Sequence, residues 1–175
     1  MRKLASIRPI REIKSIPGAD AICAYRVDSW WVVDSIGKYA VGEMVVYCEP
    51  DSWIPHELAP FLSKGQEPRE YDGIKGERLR TVKLRGQVSQ GLILPITHEL
   101  QVEFSHTFQN FEGARSLDEG DEVTEMLGIV KYEPPVPACL AGVVKGAFPS
   151  CFPKTDEERI QNLTATYAEL QECEY

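Results

Sequence analysis

Alternation of apolar and polar residues dominates the first half of the chain, and a period of two is typical of β-strands. Isoleucines recur every three residues over 4–16, but Pro9 would cost a helix a hydrogen bond, so we expect a bent or bulged strand. Short strands without a long helical period predict a small barrel or sandwich. The further strands, separated by turn-forming prolines and glycines, are expected at 22–27, 30–33 and 41–48.

Positive charge is concentrated at residues 75–85, which hold five basic residues and one acidic residue, Glu77. Within this stretch, residues 79–84 alternate imperfectly between apolar and basic, which predicts a half-buried strand with a cationic outer face. Glycines bracket residues 87–90, so we expect a turn there, followed by a second strand at 92–95. A phosphate backbone fits along such a strand; the alternative is a solvated edge strand whose charges discourage aggregation.

The remaining segments have weaker patterns. Residues 53–74 are rich in Pro and Gly and predict a long connection with one helical turn near 56–62. Residues 98–115 have no pattern that assigns an element, whereas 118–127 predict a short helix ended by Gly128.

The last segment predicts a helix over 156–170, because Thr155 and Glu158 form a capping box and apolar residues recur on one face. A further strand is predicted to begin at 172–175 and to stop at once. We therefore expect an interrupted second unit beyond the Pro-rich stretch at 132–137.

Composition narrows the function classes. A hydrophobic fraction of 43% fits a globular protein, and the formal net charge of -8 argues against indiscriminate DNA coating. The five cysteines are scattered, with no C-x-x-C pair, and the three histidines are far apart, so we expect neither disulfides nor a metal site. No apolar run is long enough to span a bilayer, so we expect an intracellular, cytoplasmic protein without membrane contact.

Seven stretches together resemble a known family. The first five resemble the N-terminal OB domain of two-domain ATP-dependent RNA ligases, and the last two resemble the passage into the nucleotidyltransferase domain of these ligases. The stretches are 4–7 (LASI), 16–20 (IPGAD), 41–47 (VGEMVVY), 51–55 (DSWIP), 80–92 (RTVKLRGQVSQGL), 131–135 (KYEPP) and 152–163 (FPKTDEERIQNL).

The resemblance implies a mainly β fold, with a small OB-like five-stranded barrel followed by short helices and the first helix of an incomplete second domain. We expect an OB-fold nucleic-acid-binding domain at 1–131, a Pro-rich linker at 132–151 and the truncated start of a nucleotidyltransferase domain at 152–175.

The resemblance also implies a chemistry. In the family, ATP adenylates a lysine within Lys-x-Asp/Glu-Gly, AMP passes to the RNA 5′-phosphate, and the 3′-hydroxyl then seals the break. This sequence contains no such motif, so we expect the chain alone to be inactive, with ATP and Mg²⁺ used by the complete enzyme and neither held tightly here. By resemblance, Arg159 is the one catalytic candidate, a guanidinium that stabilises charge on the transferring phosphate; the alternative is an exposed ion pair within its helix.

RNA, single-stranded or as a nicked duplex, is the expected partner of the OB domain. OB folds place basic side chains along the nucleic-acid backbone and aromatic rings under its bases. Candidate rings belong to Trp30, Trp31, Tyr39 and Trp53, and adjacent Trp30 and Trp31 point to opposite faces, so at most one of them is exposed. The residues predicted to bind RNA are Arg78, Arg80, Lys83, Arg85 and Gln87.

Two other functions stay open. Residues 83–91 are also similar to the Arg-Gly-x-x-Ser-x-Gly pattern of tRNA-binding OB domains, which fits a stand-alone nucleic-acid-binding module. The third hypothesis is a protein-interaction barrel whose basic strand contacts an acidic partner. The stretch at 152–163 favours the ligase over the stand-alone module, because a lone OB domain has no use for it.

Overall fold

A computed structural model of the protein describes residues 3–107 and 115–134. These residues form eleven strands, one α-helix and one short 3-10 helix at Pro60–Ser63. The elements are β1 (Ala5–Ser15), β2 (Ile22–Val27), β3 (Trp30–Ser35), β4 (Met44–Cys48), β5 (Ser52–Pro55), β6 (Arg69–Tyr71), β7 (Ile74–Arg78), β8 (Val82–Leu84), β9 (Gln87–Ser89), β10 (Leu92–Pro95), α1 (His98–Thr107) and β11 (Val130–Lys131).

The main sheet has five antiparallel strands in the order β10-β4-β1-β2-β3. β1 pairs with two strands, with β4 along its first half and with β2 along its second half. The pairing with β2 has a register shift between Ile10 and Glu12, which is typical of a β-bulge. The sheet curls until residues next to β9 contact β3, where the Gln90 amide donates to the Trp31 carbonyl at 2.7 Å. This confirms the five-stranded OB-like barrel and the bulged first strand.

Both faces of β4 are buried, in two separate apolar clusters. Val45 and Tyr47 point into the barrel, where they pack with Ile10, Tyr25, Trp30 and Ile93. Val46 and Cys48 lie in the second cluster, which is covered by Leu100 and Phe104 of α1 and by Val123 and Ile129. The uninterrupted apolar sequence of β4 follows from this double burial.

A second, smaller sheet consists of three strands inserted between β4 and β10 and of β11, which follows α1. Its order is β11-β5-β7-β6, and the two-stranded hairpin of β8 and β9 follows it. The expected helical turn corresponds to the 3-10 helix at Pro60–Ser63, but the predicted long connection at 53–74 is wrong because it also contains β6 and most of β5. These strands have only three or four residues, which is too short for a period of two to stand out.

The basic stretch folds differently from the prediction. The turn lies at Arg85 and Gly86, with φ of 50° and 86°, and not at 87–90, which mostly forms β9. Two consecutive positive φ values define the tight turn that matches the twist of a two-residue hairpin. The strand is also not half-buried, since Val82, Leu84 and Val88 are 47%, 40% and 39% exposed.

The predicted helix at 118–127 is likewise wrong. This segment runs beside β1, where the Ile7 amide donates to the Asp121 carbonyl and the Val123 amide to the Ala5 carbonyl. Backbone pairing with β1 satisfies the groups that a helix would have paired internally. Residues 98–115, whose sequence pattern assigns no element, contain α1 in their first part. The predictions for the linker beyond residue 134 and for the second domain lie outside the described residues.

Candidate nucleic-acid interface

The basic hairpin, defined as β8, its turn and β9 (residues 82–89), carries Lys83 and Arg85 on exposed positions. Arg80, also exposed, lies two residues before it. Within the described part of the chain none of these three side chains makes an ion pair. Their charge therefore faces solvent and attracts anions, in a protein whose net charge is negative.

Arg78 is placed differently from the other predicted residues. Its guanidinium donates from Nε and Nη2 to Oδ1 of Asp51, at 3.1 and 2.5 Å, and lies 4.7 Å from the ring centroid of Tyr132. Asp51 neutralises part of its charge and fixes its orientation. Gln87 is half-buried on the hairpin, where its amide nitrogen donates to the Val88 carbonyl.

The outer face of β3 continues the surface of the hairpin. Ser89 Oγ accepts a 2.9 Å hydrogen bond from the Val33 amide, which ties β9 to β3 beside Trp31. The Trp31 ring is half-exposed, with Lys14 Nζ 5.9 Å from its centroid. The structure thus brings one aromatic ring, Lys14 and the basic hairpin to one side of the barrel.

Of the four aromatic candidates, the structure leaves Trp31 on this outer face. Trp30 is 2% exposed and stacks on Tyr47 inside the barrel, which confirms that adjacent tryptophans point to opposite faces. Tyr39 is buried, and its hydroxyl donates to the Ile93 carbonyl. Burial raises the pKa of Tyr39 above its usual value, so this phenol stays neutral beneath the surface.

A second group of aromatic side chains contains the fourth candidate, Trp53, and two residues that sequence reasoning missed, Tyr71 and Tyr132. Trp53, Tyr71 and Tyr132 contact one another, with ring centroids 4.9 to 5.8 Å apart. Together with Arg69, Arg78 and Arg80 they line a cleft of about 380 Å³ on the small sheet, which we term the aromatic cleft. The signal available in the sequence was weak, because Tyr71 and Tyr132 are far apart and meet through the pairing of β5 with both β7 and β11.

The described residues do not fit the metal and nucleotide chemistry that the resemblance implies. They contain no group of three or more His, Cys, Asp or Glu side chains that could hold a metal ion. Arg159 lies outside them, and the sequence has no Lys-x-Asp/Glu-Gly motif. In the part of the chain that the structure describes, no helix is long and apolar enough to cross a membrane.

A curled sheet of this strand order, with a long insertion before its last strand, defines an OB-fold domain. A family model of an OB-fold domain matches residues 4–96, and the chain belongs to this family. A comparison with curated proteins finds no match.

Solved structures of Naegleria gruberi RNA ligase are similar to nearly the whole chain. An apo mutant is 44% identical over 96% of this chain and 46% of the ligase chain, with a TM-score of 0.71. The ligase with pyrophosphate is 43% identical over 97% of this chain and 47% of the ligase chain, with a TM-score of 0.72. A mutant with AMP and Mn is 43% identical over 96% of this chain and 46% of the ligase chain, with a TM-score of 0.73. The chain therefore spans slightly less than half of these ligases and fits the N-terminal part of an RNA ligase.

Proposed function

We propose that this chain is the RNA-binding N-terminal portion of an ATP-dependent RNA ligase, which acts inside the cell on single-stranded or nicked RNA. The observation that carries the proposal is the identity of 43% to 44% to an RNA ligase over 96% of the chain. This similarity extends beyond the OB-fold match at 4–96, which favours the ligase over a stand-alone OB module.

The basic hairpin supplies the electrostatic part of the proposed contact. Lys83 and Arg85 are exposed, and Arg80 extends the same charge toward β7. Each phosphate neutralised by such a side chain releases condensed counterions, so binding weakens as salt rises. Trp31, next to the hairpin, offers a ring on which a base stacks.

In this proposal, catalysis by the complete ligase depends on residues outside the described part of the chain. We propose that ATP and Mg²⁺ serve the complete enzyme and that neither binds tightly to the OB-fold domain. Arg159 stays a predicted catalytic residue. In a complete ligase Arg159→Ala is expected to lower sealing about 10²-fold or more, since a donor aimed at transition-state charge is worth that much.

The test of RNA binding is a salt titration with a nicked RNA duplex. Lys83→Ala combined with Arg85→Ala is expected to weaken binding and to reduce the slope of log affinity against log salt by about 0.7 to 0.9 per lost contact. The matched control removes two positive charges elsewhere, by Arg11→Ala with Lys64→Ala; Arg11 pairs with Glu119, away from the hairpin. Unchanged affinity and slope in the hairpin variant would show that RNA binds elsewhere.

A second candidate function is contact with an acidic protein surface. It is favoured by the exposed apolar residues of the hairpin, which are Val82, Leu84 and Val88. The same titration separates the two functions. A protein-interaction barrel predicts no salt-dependent binding of RNA at all, whereas the ligase portion predicts both binding and its loss in the hairpin variant.

A further inference from the structure

We propose that the aromatic cleft binds one unpaired nucleotide of the RNA, with its base stacked on Tyr71 and Tyr132; this inference rests on the proposed function. Both rings are half-buried, so part of each is open to a ligand. Trp53 lies behind them, 3% exposed, with its ring stacked at 19° to that of Tyr132. Aromatic rings exposed in a cleft are the usual platform for an unpaired base.

Hydrogen bonds hold these rings in place before any ligand arrives. Trp53 Nε1 donates to the Ile74 carbonyl at 3.0 Å, and the Tyr71 hydroxyl accepts from the Glu133 amide at 3.1 Å. The Tyr132 amide donates to the Asp51 carbonyl at 2.9 Å. A platform ordered in the free protein loses little conformational entropy on binding.

The charges around the cleft suit a nucleotide rather than a phosphate alone. Arg78 is committed to Asp51, while Arg69 and Arg80 are exposed at the rim. Glu70 and Glu133 also line the cleft, so once Arg78 is neutralised by Asp51 the remaining positive and negative side chains balance. We infer that the base is held by the rings and that Arg80 contacts the adjoining phosphate.

Size and connectivity select an unpaired nucleotide over a duplex. A volume of about 380 Å³ is near the lower limit of small-molecule sites and admits one nucleotide, not a base pair with its two backbones. Arg80 lies between the cleft and the basic hairpin along the chain. A strand whose phosphates follow the hairpin can therefore place its next, unpaired base in the cleft.

The test compares two RNAs on the full 175-residue chain, a blunt duplex and the same duplex with a three-nucleotide single-stranded extension. The wild-type protein is expected to bind the extended RNA more tightly. Tyr71→Ala is expected to weaken that binding by about fivefold or more, since stacking on one ring contributes at least this much, and to leave the blunt duplex unaffected. Tyr71→Phe is the matched control: it keeps the ring and loses only the hydroxyl that accepts from the Glu133 amide, so it is expected to bind the extended RNA more tightly than Tyr71→Ala does and to keep the preference over the blunt duplex.

A second measurement needs no protein variant. Replacing the extension by abasic nucleotides removes the bases and keeps the phosphates, and the wild-type protein should then lose the same factor in affinity. Equal affinity for extended, abasic and blunt RNA would overturn this inference while leaving the proposed function intact. An equal loss for both RNAs in Tyr71→Ala, together with full binding of the abasic RNA, would also overturn it. Failure of the wild-type chain to bind any of the RNAs would overturn both proposals.

Discussion

Gly76 shows how closely two strands approach at the residue scale. A Cβ added there would lie 2.1 Å from the Ile54 carbonyl oxygen and 3.0 Å from Trp53 Nε1. Backbone must move to relieve such a clash, so Gly76→Ala is expected to lower the free energy of unfolding by about 3 kcal/mol. Urea denaturation measures this loss.

The control for that substitution is Gly86→Ala in the hairpin turn. A Cβ at Gly86 meets no atom within 4 Å, so the cost is limited to its positive φ, about 1 kcal/mol. If the two variants lose the same stability, the close approach at Gly76 has been misplaced.

Cys48 provides a chemical test of burial. It is fully enclosed between β1 and β10, and burial raises the pKa of its thiol to about 12. Iodoacetamide at pH 8 is therefore expected to modify Cys48 only after denaturation, because the thiolate is the reactive form. Mass spectrometry measures how much of Cys48 is alkylated in the folded and in the unfolded chain. Rapid alkylation of Cys48 in the folded state would contradict the prediction.

The same shift predicts how stability depends on pH. The unfolded thiol ionises near pH 8.5, whereas the folded one keeps its proton up to a pKa of about 12. This contribution to stability is complete below about pH 8.5 and is lost as pH rises toward 12. Cys48→Ser keeps the size nearly constant and should flatten that part of the pH profile.

At the scale of elements, Thr124 attaches the segment at 118–129 to the barrel. Its Oγ1 accepts hydrogen bonds from the Leu4 amide at 3.1 Å and the Ala5 amide at 3.0 Å, and all three residues are buried. Thr124→Val keeps the shape but removes the acceptor, so we expect a loss of about 1–3 kcal/mol per amide left unsatisfied. Chemical denaturation measures the change.

The matched control is Thr107→Val, since Thr107 is exposed at the end of α1 and its hydroxyl donates to the Glu103 carbonyl. A loss in this control as large as in Thr124→Val would mean that threonine substitution itself, and not the buried acceptor, sets the cost.

Prediction from sequence succeeded for elements whose pattern is long. β1, β2, β3 and β4 have five to eleven residues with clear alternation or an apolar run, and all four were predicted. α1 gave no signal because only Leu100 and Phe104, one turn apart, are buried. The segment at 118–127 misled the prediction because its acidic start and final glycine mimic helix ends, while its backbone pairs with β1.

The candidate interface was predictable only where its residues are neighbours in sequence. Five basic residues within eleven positions marked the hairpin, and alternation separated Trp30 from Trp31. Tyr71 and Tyr132 carry no local pattern, and their meeting depends on which strands pair with β5. Hydrophobic periodicity describes one segment of the chain at a time, so it does not predict which side chains the pairing of strands brings together.

On the scale of the whole molecule, the distribution of charge is uneven. The chain has a net charge of -8, yet Arg80, Lys83 and Arg85 are exposed close together in sequence, at and just before the hairpin. An acidic background repels an anionic partner from other surfaces and favours contact at these cationic residues. This distribution supports the proposal that this part of the ligase contacts RNA and that another part transfers the nucleotide.

Nucleotide transfer needs components that the described residues do not combine. A lysine becomes a nucleophile only when a pocket lowers its pKa, and a metal ion must neutralise the phosphates it attacks. The 175 residues contain no Lys-x-Asp/Glu-Gly motif, and the described residues include no cluster of three potential metal ligands. The exposed Lys83 lies on a two-stranded hairpin open to water and not in an enclosed pocket of that kind.

We therefore expect no covalent AMP on this chain. The measurement is incubation with α-labelled ATP and Mg²⁺ followed by denaturing electrophoresis, with a complete RNA ligase in a parallel reaction as the positive control. Label on the control and none on this chain is the expected result. A labelled band that survives denaturation would contradict it, and peptide mapping would then identify the lysine; a label on Lys83, for example, would mean that the hairpin is part of a nucleotidyl-transfer site and not only a contact for RNA.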